Sequence, residues 1–217
     1  MTHSGTAKPA AAFFDFDMTL ADSAESVLAA INLFASEMGL RAVAAKDLMA
    51  AIGLTLEESW VSYWGRCEPW WLEYYRGRYG DRELSGIRPF PDAIPVLERV
   101  RGAGVKTAVV TNRDKAREAV ERAGLGAFFD AVVGAEEAER PKPAPDPVLK
   151  AMELLGVAAD AAVFVGDSHL DIQAAVAAGV KGIGVSTGGT SASELAEAGA
   201  WKVCGRLGEV PEIIGIV

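Results

Sequence analysis

Phe13-Phe14-Asp15-Phe16-Asp17-Met18-Thr19-Leu20 is the stretch from which the rest of the chain is best read. The apolar run from Ala10 to Phe14 has the character of a buried strand, and it ends abruptly at Asp15, Asp17 and Thr19, polar side chains set two residues apart. In extended backbone that spacing points Asp15 and Asp17 the same way. Two carboxylates on the lip of an apolar strand repel each other unless a cation lies between them or one keeps its proton, and both are ways of building a catalytic site. The same residues also suit a polar turn after a strand, since Asp is common in turns. This stretch alone leaves both readings open.

Beyond Leu20 the pattern changes to helix and stays so for about seventy residues, which points to an insertion after the first strand. Ser23 is placed to cap a helix through Val27, Ile31, Phe34 and Met38, closed by Gly39. A shorter segment, Ala44 to Ile52, ends at Gly53. Thr55 and Glu58 form a capping-box pattern ahead of Trp60 and Trp64, and Pro69 suits the first turn of a helix reaching to about Tyr79. These segments make a helical module over residues 22–88, flanked by 1–21 and 89–217. Its aromatics, among them Trp60, Tyr63, Trp64, Trp71 and Tyr75, are expected to pack the module's own core, although one or two could line a pocket. Trp60 with Trp64, Trp70 with Tyr74 and Trp71 with Tyr75 are four apart and so expected to stack. Arginines 66, 76, 78, 82 and 88 are candidates for holding a substrate anion, though helical arginines are usually solvated.

From Pro89 onward strand and helix alternate. Val105 to Val110, Ala131 to Val133, Ala162 to Val165 and Gly182 to Val185 read as strands, with helices between them and a short strand and final helix after Trp201. Such alternation means a parallel sheet with helices on both faces, an α/β fold of three layers.

Composition sets the broad class. The chain has 217 residues, half of them apolar and 24% charged, which is globular. No apolar run reaches the length of a membrane span, and the first nine residues lack the apolar stretch of a secretory signal and read as a short mobile tail. A net charge of −9 disfavours nucleic acid as a partner but not a small anion held by a local cluster or a bound cation. Cys67 and Cys204 sit in no metal or redox spacing, as expected of a reduced, cytoplasmic protein.

In a parallel sheet of this kind ligands bind at the carboxyl ends of the strands, where this chain collects its polar residues. Asp15 and Asp17 follow the first strand, Thr111 and Asn112 another, and Asp167, Ser168 and Asp171 a third, with Lys142 between prolines in the connection. Thr111-Asn112 by itself is an ordinary strand-to-helix turn, and Lys142 by itself an ordinary loop charge. Asp171 is one helical turn beyond Asp167 and so on the same face. His169 reads as a helix-surface residue. Together the carboxylates and the lysine describe a phosphate site able to hold a hard cation such as Mg²⁺, with an aspartate available as nucleophile.

The ordered set DFDMTL, VVTN, RPKP and GDSHLD resembles the haloacid dehalogenase superfamily over nearly the whole chain, and is most similar to its phosphoglycolate phosphatase-like branch. The resemblance implies a Rossmann-like core with a mobile helical cap, hinged about residues 21–22 and 88–90. It also implies a Mg²⁺-dependent phosphatase acting on a small phosphomonoester, of phosphoglycolate or sugar-phosphate type. By the same resemblance Asp15 is the nucleophile and a metal ligand. Asp17 is the acid and then the base, and lends its backbone carbonyl to the metal. Thr111 and the Asn112 amide hold phosphoryl oxygens, Lys142 neutralises charge, and Asp167 and Asp171 anchor Mg²⁺. An acid at position 17 points to phosphoester cleavage rather than carbon–halogen chemistry. Met18 stands where the superfamily usually has glycine, and a side chain there could narrow the turn over the site. The alternatives are a β-phosphoglucomutase-like phosphomutase and a phosphate-binding protein that has lost its chemistry. A monomer and a homodimer are equally compatible with the sequence.

Overall fold

The computed structural model describes residues 8–216, so residues 1–7 of the expected mobile tail, and Val217, lie outside it. The first strand, β1 (Ala11–Phe14), is four apolar residues, all fully buried, with helices against both faces. The chain then turns tightly through residues 15–20 and enters a two-stranded antiparallel ribbon made by β2 (Ala21–Asp22) and β3 (Arg88–Pro89). Between those two short strands stand the helices α1 (Ala24–Glu37), α2 (Ala45–Ala51), α3 (Leu56–Trp64) and α4 (Trp71–Gly86). After β3 come α5 (Ala93–Gly102), β4 (Lys106–Val110), α6 (Ala116–Arg122), β5 (Ala131–Val133) and α7 (Asp146–Leu155). The chain finishes through β6 (Ala162–Gly166), α8 (His169–Ala177), β7 (Lys181–Val185), α9 (Ala192–Glu197), β8 (Lys202–Cys204) and α10 (Val210–Ile213).

The six-stranded sheet is parallel and ordered β5-β4-β1-β6-β7-β8. Strand order reverses at β1, which places the topological switch point beside its carboxyl end. Phe14, Val109 and Val165 point to one side of the sheet with the apolar residues of α5 and α6, while Phe13, Val110 and Phe164 point to the other with those of α7 and α8. No helix of the described residues is long and apolar enough to cross a membrane.

The helical module has its own core around Phe34, on which Trp60 stacks at 4.8 Å and Trp71, Tyr75 and Tyr79 abut edge-on. The Trp60/Trp64 and Trp70/Tyr74 pairs meet as spaced, with ring centroids 5.8 Å apart in each. Trp71 and Tyr75 instead meet through Phe34. Three local expectations change. Ser23 holds the N-cap position of α1, but its hydroxyl makes no cap; the Ala24 N–H is taken by the Asp22 carboxylate at 3.1 Å. Pro69 lies before α4, whose first turn begins at Trp71. That helix also runs past Tyr79 to Gly86, through Gly80, because packing against α1 outweighs the poor helix propensity of glycine. The two helices come so close at Gly86 that a methyl group there would collide with Ser26.

Candidate active site

Register delivers the site. Phe14 stands opposite Val109 of β4 and Val165 of β6, so Asp15, Thr111 and Asp167 leave the sheet at neighbouring points on its carboxyl edge. The Asp15 N–H donates to the Val165 carbonyl at 2.8 Å, extending the ladder one residue beyond the strand. Lys142, from the loop between β5 and α7, reaches in from the side and is 1% exposed. Its ammonium donates to Asp15 Oδ1 at 2.7 Å, Asp171 Oδ1 at 2.5 Å and the Val110 carbonyl at 3.1 Å, which uses all three of its protons. Asp171 sits in the first turn of α8 and accepts from the Ser168 N–H at 2.9 Å and hydroxyl at 2.8 Å through its other oxygen, completing a capping box. Asp167 Oδ1 accepts from the Thr19 hydroxyl at 2.7 Å.

Asp15, Asp167 and Asp171 each offer an oxygen, and these oxygens lie within 4.8 Å of one another. Among the described residues Lys142 is the one side-chain cation bonded to the cluster, so a buried excess of negative charge remains. Burial, together with the neighbouring carboxylates and against the pull of Lys142, raises Asp15 to about 7. The same causes push Asp167 well above the ordinary carboxylate range. A hard divalent cation with oxygen ligands would remove both penalties, so the donor set fits one. The backbone leaves space for these carboxylates and little more: a methyl group at Gly166 would strike Asp171, and one at Gly188 would strike Asp167.

A pH dependence follows. Without a cation, Asp15 holds its proton in the folded state between its unfolded value of 3.8 and about 7. Its contribution to stability is therefore lost as pH rises through that window. A cation bound there would compete with the proton for the same oxygens. The rise in Tm caused by Mg²⁺ is expected to be larger at about pH 8 than at about pH 5.5. An equal rise at both would remove Asp15 from the cation site.

Asp17 takes a different direction from Asp15. Its carboxylate receives a two-pronged bond from Arg113, Nε to Oδ2 at 2.9 Å and Nη2 to Oδ1 at 2.8 Å. Burial works to raise its pKa, but the Arg113 charge and hydrogen bonds outweigh burial and hold it below the ordinary value. The third prong of Arg113, Nη1, donates at 2.5 Å to Glu83 of α4, which also accepts from the Tyr75 hydroxyl at 2.6 Å. Glu83 is 8% exposed. The guanidinium thus joins the end of β1 to the helical module. Asn112 spends its side chain on position rather than on an anion. Its Oδ1 accepts from the Lys142 N–H at 2.8 Å, and its Nδ2 donates to the carbonyls of Lys142 at 2.9 Å and Gly53 at 2.8 Å. This clamp fixes the lysine loop, leaving Asn112 its backbone N–H for any ligand. Thr111 faces the same cleft as Asp15 and Asp17.

That cleft, open to solvent, lies between the sheet edge and the helical module. Asp15, Asp17, Thr111, Asn112 and Arg113 form its floor, and residues from Ser23 to Glu83 form its roof.

The family model for haloacid dehalogenase-like hydrolases matches residues 12–185. The chain belongs to the haloacid dehalogenase-like hydrolase family. It is 30% identical over 215 residues to a phosphoglycolate phosphatase of Neisseria meningitidis, covering 92% of this chain and 90% of that one. It is 29% identical over 179 residues to a pyrophosphatase of Bacillus velezensis, covering 81% and 82%. In fold it matches a haloacid dehalogenase-like family protein of Streptococcus pneumoniae with a TM-score of 0.81 at 23% identity, over 94% of this chain and 97% of that one.

Against that family background Met18 has a physical explanation. Its φ is 60°, in the left-handed region where glycine is at ease and other residues pay about 1 kcal/mol. Its side chain is buried and lies outside the cleft lining. Of the arginines the sequence nominated, none lines the cleft. Arg66 pairs with Glu68, Arg76 with Asp114 and Arg78 with Glu37, while Arg88 donates to the carbonyls of Ser85 and Ile87. His169 is exposed, as expected. Arg113 and Glu83 are the site residues that sequence reasoning missed. Arg113 could have been found, since it directly follows Asn112 at a strand end; Glu83 carried no signal of its own.

Proposed function

We propose that this chain is a Mg²⁺-dependent phosphatase that hydrolyses a small phosphomonoester through an aspartyl-phosphate intermediate. The observation that carries this reading is the placement of Asp15, buried among Lys142, Asp167 and Asp171 yet opening on a cleft that it shares with Asp17 and Thr111. Asp15, Asp167 and Asp171, with the Asp17 carbonyl, would hold the cation, which would offset the phosphoryl charge. An Asp15 oxygen attacks phosphorus as the ester P–O bond breaks, and Asp17 gives its proton to the departing alkoxide. Asp17 then takes a proton from water, the water oxygen attacks the acyl phosphate, and inorganic phosphate leaves with Asp15 regenerated. Thr111 and the Asn112 N–H hold phosphoryl oxygens, and Lys142 offsets the charge that develops between Asp15 and phosphate.

Arg113 as seen here suits Asp17 to the base half of the cycle, because the pairing keeps the carboxylate ionised. The acid half needs the pairing loosened. Glu83, already on the same guanidinium, keeps Arg113 occupied when Asp17 turns toward the leaving group.

The test is phosphate release from a panel of small phosphomonoesters with and without Mg²⁺. Release that requires Mg²⁺ is the expected result. An isomerised sugar phosphate without release would replace this reading with a phosphomutase, and binding of phosphate without turnover would replace it with a non-catalytic protein.

A further inference from the structure

We infer that the leaving group this cleft accepts is an uncharged alcohol with an apolar body, an inference that rests on the phosphatase reading above. The roof opposite Asp15 is aliphatic: Val27, Ile52, Leu54 and Leu56 line the cleft while only part-buried, and Ile31 and Leu48 close it behind them. A wall of this kind facing an acidic edge is uncovered by any other part of the described chain. Apolar surface left in that position is stabilised when a ligand's apolar body covers it.

The charges point the same way. Asp15, Asp17, Glu83 and Asp114 line the cleft and Asp167 and Asp171 lie beside Asp15, while Lys142, Arg113 and Arg76 are already bonded within this set. One divalent cation leaves the set short of neutrality before the phosphoryl group arrives. The roof supplies no cation among its lining residues, and its polar members are Ser23, Ser59, Tyr63 and Glu83. Tyr63 stays a neutral phenol, its hydroxyl pushed up to about 12 by burial. A carboxylate or second phosphate on the leaving group would therefore meet Glu83 and aliphatic carbon with no free counter-charge, which is strongly unfavourable. An alcohol with one or two hydroxyls can use the buried Ser23 hydroxyl, which lies in the lining near the Asp17 carboxylate.

The experiment compares kcat/KM of the Mg²⁺-loaded enzyme for n-propyl phosphate, 2-phosphoglycolate and pyrophosphate, and then for the ethyl to butyl phosphate series. Propyl phosphate is expected to exceed phosphoglycolate by about tenfold or more, although glycolate is the better leaving group. Each added methylene is expected to raise kcat/KM by about threefold. Phosphoglycolate or pyrophosphate at or above propyl phosphate, or no dependence on chain length, overturns the inference and leaves the phosphatase reading standing. No release from any ester overturns both. Leu54→Arg, in the half-buried loop between α2 and α3, is expected to raise kcat/KM for phosphoglycolate and lower it for butyl phosphate. A folded variant with an unchanged ratio would remove Leu54 from the wall.

Discussion

Asp15→Asn is expected to lower turnover by about 10⁴-fold or more while leaving the protein at least as stable as the parent when no metal is bound. The amide keeps the shape of the carboxylate but is a far poorer nucleophile and metal ligand. Stability is the less obvious half. Asp15 is buried, and its pKa is raised from 3.8 to about 7, so near pH 8 its ionised form works against folding. A neutral side chain removes that opposition, and Lys142 retains Asp171 at 2.5 Å as a partner. Steady-state phosphate release and thermal unfolding without metal check the two halves separately. Turnover within about tenfold of the parent would show that Asp15 is not the nucleophile. A large fall in metal-free Tm would show that its charge is a folding contact rather than a catalytic one.

Lys142→Met has the opposite signature, loss of both activity and stability. Lys142 is fully buried and its ammonium is paired with two carboxylates, Asp15 and Asp171. Methionine fills most of the same volume but leaves Asp15 and Asp171 facing each other without their shared proton donor. Breaking a buried pair in this way costs roughly 3–5 kcal/mol. Part of that loss is expected to return with saturating Mg²⁺, because the cation would sit among the same oxygens. Turnover is expected to fall by about 10²-fold or more, for loss of a fixed positive charge beside the transferring phosphoryl group. Urea unfolding with and without Mg²⁺ reads the first effect. A variant as stable as the parent in the absence of metal would mean that the carboxylates are protonated there and that Lys142 is not their counter-charge.

The two variants test different kinds of knowledge about the chain. Strands such as 162–165, which the structure extends to Gly166, were legible because short apolar runs between glycine breaks have few other uses, and the Thr55/Glu58 and Gly53 boundaries because capping is local chemistry. The order of the polar strand ends was legible too, since a parallel sheet presents all its carboxyl ends on one edge. By itself, then, the sequence determined the fold class and the identities of Asp15, Lys142, Asp167 and Asp171 as a set. Tertiary structure decided what each does with its neighbours. Arg113 reaches Asp17 across 96 residues and Glu83 across 30, and Asn112 turns its side chain to the Lys142 backbone instead of outward. The helix continues through Gly80 to Gly86 because α1 packs there, against the propensity of those glycines. Pairing, burial and side-chain direction are long-range properties, set by how the sheet edge and the helical module meet, and no local pattern encodes that meeting.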